Sequence, residues 1–292
     1  MKLRFYFISA VCSLTIAPIS FSFAAEKMTS TFDPQWLASV VSIELIQKQG
    51  TPPMPIGTGF LVQTKRGHIL LVTAKHVIID EMQSAVRSGL IYRLNNREGS
   101  SDLFLDSDLI RDGGKWFTSE TADVACRFIP VQLNTAEKTI PLPLFLMHDQ
   151  LQVGAPVVVL GFPMGIRQEK YPTPIVRHGI IARTNDEGII LDAFVFPGNS
   201  GGPVVYTPPV PSIHTTGPLE ITSSFIDSQR LVGLVSEEIT YEEPAFSVQT
   251  KRPRIIFEEN SGLTKIVTTD EIQELIERSD VQKIDQSLLS CS

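Results

Sequence analysis

A glycine-rich hexapeptide, Gly198 to Pro203, surrounds Ser200, the residue of this chain best suited to nucleophilic chemistry. A serine hydroxyl is a poor nucleophile at neutral pH, so it needs a base to take its proton and N–H donors for the oxyanion that forms. Flanking glycines permit unusual backbone conformations and leave space for a substrate carbonyl to approach the amides. We therefore predict that the N–H groups of Gly198 and Ser200 form an oxyanion hole. A glycine-rich turn without a chemical role is the alternative for the hexapeptide taken alone.

A histidine and an aspartate that could complete this chemistry occur earlier in the chain. His76 follows an apolar run, and Asp123 lies between small and apolar residues. In a catalytic triad one ring nitrogen of the histidine faces the serine, while the aspartate holds the other ring N–H and stabilises the imidazolium. Taken singly, His76 could be a core histidine and Asp123 a turn residue. Their occurrence together with the serine motif predicts a triad in the chain order His76, Asp123, Ser200.

The chain order of these residues argues against two other kinds of hydrolase. The nucleophile elbow of α/β-hydrolases requires an acid and then a histidine after the serine. The only histidine after Ser200 is His214, and no acidic residue lies between them. A subtilisin-like order needs an acid before His76, for which Asp33 is a candidate, but no alternation of strands and helices supports that fold.

Short apolar or alternating runs bounded by Gly, Pro, Asn and Asp fill most of the chain and predict an all-β sandwich or barrel. They fall into two groups with a boundary near residue 150. The segments Thr207–Ser224, rich in proline, and Glu237–Glu259, rich in charge, are predicted to be surface loops. A capping box from Thr268 to Glu271 precedes apolar residues at helical spacing and predicts a C-terminal helix.

The N-terminal segment is typical of a secretory signal peptide. Lys2 and Arg4 precede an apolar run, and small residues stand before a predicted cleavage after Ala24. A permanent membrane anchor is the alternative, since the run approaches the length of a spanning helix. We predict a signal peptide at 1–24, domains at 25–150 and 151–292, a secreted or periplasmic location and no stable membrane insertion after processing.

Charge and cysteine content restrict the classes of partner and cofactor. The 292-residue chain has a formal charge of −7, and loss of the leader would remove two further positive charges. This balance repels nucleic-acid phosphates, so we predict no nucleic-acid partner. Cys126 and Cys291 could pair in an oxidising compartment or remain as one buried and one tail thiol. Because only these two cysteines remain after loss of the leader and the chain has no His-x-x-x-His pair, we predict no metal site and no cofactor.

The three motifs resemble the trypsin/chymotrypsin superfamily, and specifically its bacterial HtrA/Deg-like branch, here without a PDZ domain. The likeness covers about residues 36–278 and includes Gly57–Leu61, Gly161–Gly165 and Ser261–Ile266. It implies an all-β fold of two six-stranded antiparallel β-barrels with a C-terminal α-helix and the triad in the cleft between the barrels. It further implies a serine endopeptidase that cleaves polypeptides through an acyl-enzyme intermediate. The alternative is a catalytically silent trypsin-like fold that acts as a binding module. The oligomeric state is left open.

The resemblance also implies a substrate pocket. Phe194, six residues before the serine, is expected at the base of the primary pocket, and Ser236 in its opposite wall. An apolar floor disfavours charged side chains, so cleavage after small or medium apolar residues is expected, and a peptide-library profile dominated by Lys and Arg would overturn this.

The sequence departs from the family pattern at Asn199, which stands where trypsin has an aspartate that pairs with a new N-terminal ammonium. Because Asn199 carries no charge, no trypsin-style activation cleavage is expected.

Overall fold

The computed structural model describes residues 32–288 except for ten short gaps. The gaps are 48–49, 81, 96–100, 112–113, 130–138, 168–172, 210–211, 218–219, 225–228 and 247–248. The predicted signal peptide and Cys291 lie outside the described residues. Within the described residues no helix is long and apolar enough to cross a membrane.

The first half of the described chain forms an antiparallel sheet with one parallel pairing at its side. Its strands run in the order β7-β6-β1-β2-β3-β9-β8, with β10 parallel to β2, while β4 and β5 form a separate pair. The strands of this half are β1 (Val40–Leu45), β2 (Met54–Gln63), β3 (Ile69–Thr73), β4 (Ile79–Asp80), β5 (Ala85–Val86), β6 (Leu90–Asn95), β7 (Ser101–Leu105), β8 (Phe117–Thr118), β9 (Ala125–Ile129) and β10 (Ile140–Pro141).

The second half of the chain forms a closed barrel and a small hairpin. The strands of this half are β11 (Pro156–Gly161), β12 (Ile175–Asn185), β13 (Gly188–Asp192), β14 (Pro203–Tyr206), β15 (Ser212–Gly217), β16 (Glu220–Ser224), β17 (Arg230–Phe246) and β18 (Pro253–Thr268). The barrel order is β11-β12-β13-β18-β17-β14, and β15 pairs with β16. The helices of the whole described chain are α1 (Pro34–Ala38), α2 (Lys75–Ile78), α3 (Asp106–Arg111), α4 (Thr269–Glu277) and α5 (Ser279–Ser287), with 3₁₀ turns at Leu142–Leu144, His148–Gln150 and Pro163–Gly165.

The predicted fold class is confirmed, with differences in detail. The second barrel has the predicted six strands, whereas the first sheet has eight among the described residues. The two-residue strands β8 and β10 account for this excess, because such short pairings leave no periodic pattern in a sequence. Two C-terminal helices replace the predicted one, since Arg278 has extended backbone angles, φ −58° and ψ 140°, between α4 and α5.

Both segments predicted to be surface loops contain strands. The segment Thr207–Ser224 includes the whole of β15 and β16, and the segment Glu237–Glu259 is largely the outer part of β17 and β18. Backbone hydrogen bonds form a ladder whatever the side chains are, so a charged strand with neither face buried shows no alternation of polarity. The prediction of loops in these two segments is therefore wrong.

Strand β11 separates the two hydrophobic cores of the molecule. Val157 and Val159 pack inside the closed barrel, whereas Val158 and Leu160 pack in the cluster shared with the first sheet. Successive side chains of a strand point to opposite faces, so a strand between two cores is apolar at every position. This strand therefore joins the two halves of the described chain through a continuous apolar contact.

A buried hydrogen-bonded cluster fastens α5 to the first sheet. The Asp285 carboxylate lies 2.7 Å from His68 Nδ1 and accepts a hydrogen bond from Thr64 Oγ1 at 3.0 Å. The Asp285 side chain is 2% exposed. A second link between the C-terminal helices and the same turn, the ion pair from Lys65 to Glu277 at 2.9 Å, is largely exposed.

We expect Asp285→Ala to lower the free energy of unfolding by about 1–3 kcal/mol, because His68 and Thr64 then lose a buried partner. The matched change Glu277→Ala removes the exposed ion pair and an exposed hydrogen bond from Gln273 at 3.0 Å, and it is expected to cost about 0–1 kcal/mol. Urea unfolding of both variants measures the difference. Equal losses would show that the buried cluster contributes no more than the surface pair.

Candidate active site

The pairing of β3 with β9 brings His76 and Asp123 together. Thr73 lies opposite Ala125 in this ladder, so the residues just after β3 and just before β9 are neighbours. His76 lies in the short helix α2 that follows β3, and its Nδ1 is 2.8 Å from Asp123 Oδ2. The backbone N–H of His76 also donates to Asp123 Oδ1 at 3.0 Å. The carboxylate therefore holds both the backbone and the ring of the histidine.

Asp123 is also hydrogen-bonded from the second half of the molecule. Ser236 Oγ in β17 donates to Asp123 Oδ2 at 2.7 Å. Partial burial acts to raise the pKa of Asp123, but the hydrogen bond and charge of His76 and the hydrogen bond of Ser236 outweigh it, so this pKa lies below its ordinary value. An ionised carboxylate accepts a hydrogen bond from Nδ1–H, which leaves Nε2 of His76 as the basic nitrogen.

The loop that carries Ser200 is fixed by backbone contacts to both sheets. The Ser200 carbonyl accepts from Thr58 N in β2 at 2.9 Å, and Gly201 N donates to the Val235 carbonyl in β17 at 2.7 Å. Gly201 has φ +81°, and a Cβ there would collide with the Thr58 carbonyl. Only glycine meets both conditions without strain. The loop therefore lies where β2 and β17 approach each other.

The orientation of the peptide between Pro197 and Gly198 follows from a contact with the 3₁₀ turn at Pro163–Gly165. The Pro197 carbonyl accepts a hydrogen bond from Met164 N at 2.6 Å. Since C=O and N–H point in opposite directions across a trans peptide, the N–H of Gly198 is directed away from Met164. In the described part of the chain, the amides of Gly198 and Ser200 donate to no protein acceptor. Two free donors near Ser200 can bind a developing oxyanion.

Asn199 stabilises the same loop through buried hydrogen bonds. Its side chain is fully buried, its Oδ1 accepts from Phe196 N at 3.1 Å, and its backbone N–H donates to the Phe196 carbonyl at 2.9 Å. These contacts close the turn without a charged partner. The neutral amide thus occupies the position at which a carboxylate would need a buried cation.

A cavity of about 690 Å³ opens beside these groups. His76, Asp123 and Ser200 all line it. Among the described residues, however, the Ser200 hydroxyl makes no hydrogen bond to His76. Hydrogen bonds of this kind are often long without substrate and shorten when it binds.

The walls of the cavity differ from the predicted pocket at one position. Ser236, Val195 and Phe196 line it, but Phe194 does not. Phe194 is 54% exposed, and its ring lies against Gly262. Ala193 and Val195 point into the barrel core, so alternation along the chain turns the side chain between them outward. The placement of Phe194 as the pocket floor is therefore corrected.

Two positioning residues that hydrogen-bond to the backbone of the site were not predicted from the sequence. The buried Thr58 donates from Oγ1 to the Gly198 carbonyl at 2.6 Å. Thr58 lies within the Gly57–Leu61 motif, and this motif is the feature of the sequence that could have identified it. Asn260 Nδ2 donates to the Val195 carbonyl at 2.6 Å and to Glu238 Oε2 at 3.1 Å. No pattern in the sequence connects Asn260 with the serine motif.

A buried ionic cluster anchors the segment that contains Met164. Glu44 in β1 is fully buried. Arg93 in β6 contacts it at 2.7 Å, and Arg167, three residues after Met164, contacts it at 3.0 Å. Ser42 Oγ adds a hydrogen bond to Glu44 at 3.2 Å. The cluster therefore ties the turn that orients the Gly198 amide to the first sheet.

Other reactive groups lie away from the cavity. Across the described residues, no three His, Cys, Asp or Glu side chains cluster closely enough to hold a metal ion. Burial raises the pKa of Cys126 to about 12, so this thiol is a poor nucleophile at neutral pH. The pairing of Cys126 with Cys291 stays a prediction.

The chain is similar to known proteins at two levels, a family profile and solved structures. The family profile described as "Trypsin-like peptidase domain" matches residues 57–207. No curated protein matches the chain at a significant level. Among solved structures, the HtrA-type protease AlgW with a tripeptide is 16% identical, with a TM-score of 0.45, over 83% of this chain and 61% of that one. The same protease with a decapeptide is 16% identical, with a TM-score of 0.44, over 82% and 63% of the two chains. The chain thus spans about three fifths of the length of these structures.

Proposed function

The chain belongs to the trypsin-like peptidase family, as its sequence predicts, and we propose on that basis that it is an exported serine endopeptidase with the triad His76, Asp123 and Ser200. The observation that carries the proposal is the position of His76. Its Nδ1 contacts Asp123 at 2.8 Å, and it lines the same cavity as Ser200. The imidazole can therefore relay a proton between the serine and a substrate in that cavity.

In the proposed acylation step, the Ser200 hydroxyl attacks the carbonyl carbon of a peptide bond and His76 Nε2 takes its proton. The carbonyl oxygen becomes an oxyanion that the N–H groups of Gly198 and Ser200 stabilise. The intermediate collapses when the protonated His76 gives its proton to the departing amine. The product of this step is an acyl-enzyme ester on Ser200 and a free amine.

In the proposed deacylation step, water enters the cavity, loses a proton to His76 Nε2 and attacks the ester carbonyl. The same two amides stabilise the second oxyanion. His76 returns the proton to Ser200 Oγ as the C–O bond breaks, and a carboxylic acid leaves. Asp123, whose pKa lies below the ordinary value, stays ionised throughout and stabilises the imidazolium in both steps.

The buried amide of Asn199 supports a further part of the proposal, namely that the protein needs no activating cleavage. Its side chain closes the oxyanion turn through Phe196 N. No buried cation is required for this contact, so no newly formed N-terminal ammonium is needed to order the loop.

Export rests on the sequence of residues 1–24, in which a basic start, an apolar run and small residues follow one another. A fluorophosphonate probe applied to cell fractions tests export and catalysis together. We expect a labelled band in the periplasmic or external fraction that disappears in Ser200→Ala. Labelling confined to the cytoplasm would contradict export alone, whereas no labelling in any fraction would favour the silent trypsin-like fold.

A further inference from the structure

The outer parts of β17 and β18 form a two-stranded ribbon that extends beyond the barrel. We call residues 240–246 and 253–260 the outer ribbon; its register runs from Thr240 opposite Asn260 to Phe246 opposite Pro253. Strand β14 pairs with β17 only up to Leu234, and β13 pairs with β18 only from Leu263. Within the described residues, the outer ribbon therefore has two free edges and two uncovered faces. Isolated two-stranded ribbons are marginally stable in water.

Large apolar side chains lie exposed on this ribbon. Ile255, Ile256 and Phe257 are 56%, 56% and 51% exposed, and Phe246 is 60% exposed. Because neighbouring residues point to opposite faces, both faces carry apolar groups. We call these four residues the apolar patch; exposed apolar groups that lie next to one another in this way mark an interaction surface.

Charges on the outer ribbon are separated along its length. Glu242, Glu243, Glu258 and Glu259 are exposed on the side of the apolar patch nearer the barrel, and Lys251, Arg252 and Arg254 are exposed at and beside the turn. Glu242 lies directly opposite Glu258, an arrangement of like charges that destabilises a ribbon on its own. None of the three cations forms an ion pair with another described residue.

This order of acidic, apolar and basic groups is self-complementary under a two-fold rotation. Residues directly opposite each other, and residues two apart along a strand, share a face. The Glu242–Glu258 pair therefore lies on the same face as the Pro244–Ile256 pair, two residues inward of it, and Phe246 and the basic Arg254 lie two residues outward of it. If a second ribbon lies antiparallel across the first at Pro244 and Ile256, Ile256 and Phe246 of each copy cover those of the other. The basic turn of each copy then faces the glutamates of the other, as an isologous interface requires.

We propose that the outer ribbon is a self-association surface whose partner is the outer ribbon of a second copy of this chain, packed antiparallel about a two-fold axis. Burial of the apolar patches drives the association. The opposite charges at the two ends fix its direction, because a parallel arrangement would place like charges together. The surface does not involve the triad, so this inference stands apart from the proposed catalytic activity.

A charge-reversal experiment on the full processed chain tests the arrangement. Sedimentation velocity is expected to show a concentration-dependent dimer of the unaltered protein. The turn variant Arg252→Glu/Arg254→Glu and the stem variant Glu242→Lys/Glu258→Lys should each raise the dimer dissociation constant by about tenfold or more, because each places like charges together. Mixing the two variants should restore a 1:1 dimer, since every contact then joins opposite charges.

The control variant Arg183→Glu, which reverses an exposed charge elsewhere on the barrel, should leave the dissociation constant unchanged. A monomeric unaltered protein at all accessible concentrations would overturn the proposal. A dimer that both ribbon variants retain would overturn it equally, and so would failure of the mixed variants to associate. Circular dichroism of each variant confirms that it is folded.

Discussion

Replacement of Ser200 by alanine is expected to lower kcat/KM for peptide hydrolysis by about 10⁵-fold or more, because the acyl-enzyme can no longer form. His76→Ala should have a similar effect, since the serine then has no base. The two residues act as one unit, so the double variant should be about as active as either single variant. Turnover of casein and of a peptide substrate measures all three.

A control variant with a smaller expected loss of rate distinguishes His76 and Ser200 from the residues that orient them. Ser236 donates a single hydrogen bond, at 2.7 Å, to Oδ2 of Asp123, the oxygen that also holds the ring of His76. Ser236→Ala therefore removes one hydrogen bond of about 1 kcal/mol, which corresponds to roughly fivefold in rate. Residual activity of Ser200→Ala near that of Ser236→Ala would contradict the assignment of Ser200 as the nucleophile.

The second large effect is expected at Glu44, far from the triad. Glu44→Gln removes the buried carboxylate that pairs with both Arg93 and Arg167, whose side chains are each 11% exposed. Breaking a buried ionic cluster in this way costs about 3–5 kcal/mol of unfolding free energy. Because Arg167 anchors the turn that holds the Pro197 carbonyl through Met164, kcat should fall as well.

Two controls separate stability from positioning in the Glu44 experiment. The exposed Glu187, paired with Arg183 at 3.6 Å, should tolerate the same Glu→Gln change with a loss of about 0–1 kcal/mol. The triple change Glu44→Met/Arg93→Met/Arg167→Met should recover most of the lost stability, since apolar replacement of a whole buried cluster is often neutral. If the triple variant also regained full kcat, the cluster would have no part in orienting the oxyanion loop.

Local sequence rules predicted several parts of the fold well. The capping box at the start of α4 forms as predicted, with Thr268 accepting from Glu271 N and Glu271 reaching back to the Thr268 N–H at 2.7 Å. Its partners are three residues apart, so the pattern is complete within a single helical turn. The outer ribbon was missed for the opposite reason. Its strands pair only with each other and bury neither face, so no alternation of polarity marks them.

By itself, the sequence determined the family and the kind of fold, and it named His76, Asp123 and Ser200 as the candidates for chemistry. The types and order of His76, Asp123 and Ser200, the glycines around the serine and the apolar runs are all local features. Only the tertiary structure decided which residues hold these groups in place. Asn260, Met164 and Glu44 act on the site through the register of strands that are distant in the chain, and register is fixed by the packing of two whole sheets. A contact of that kind leaves no mark in the residues adjacent to either partner.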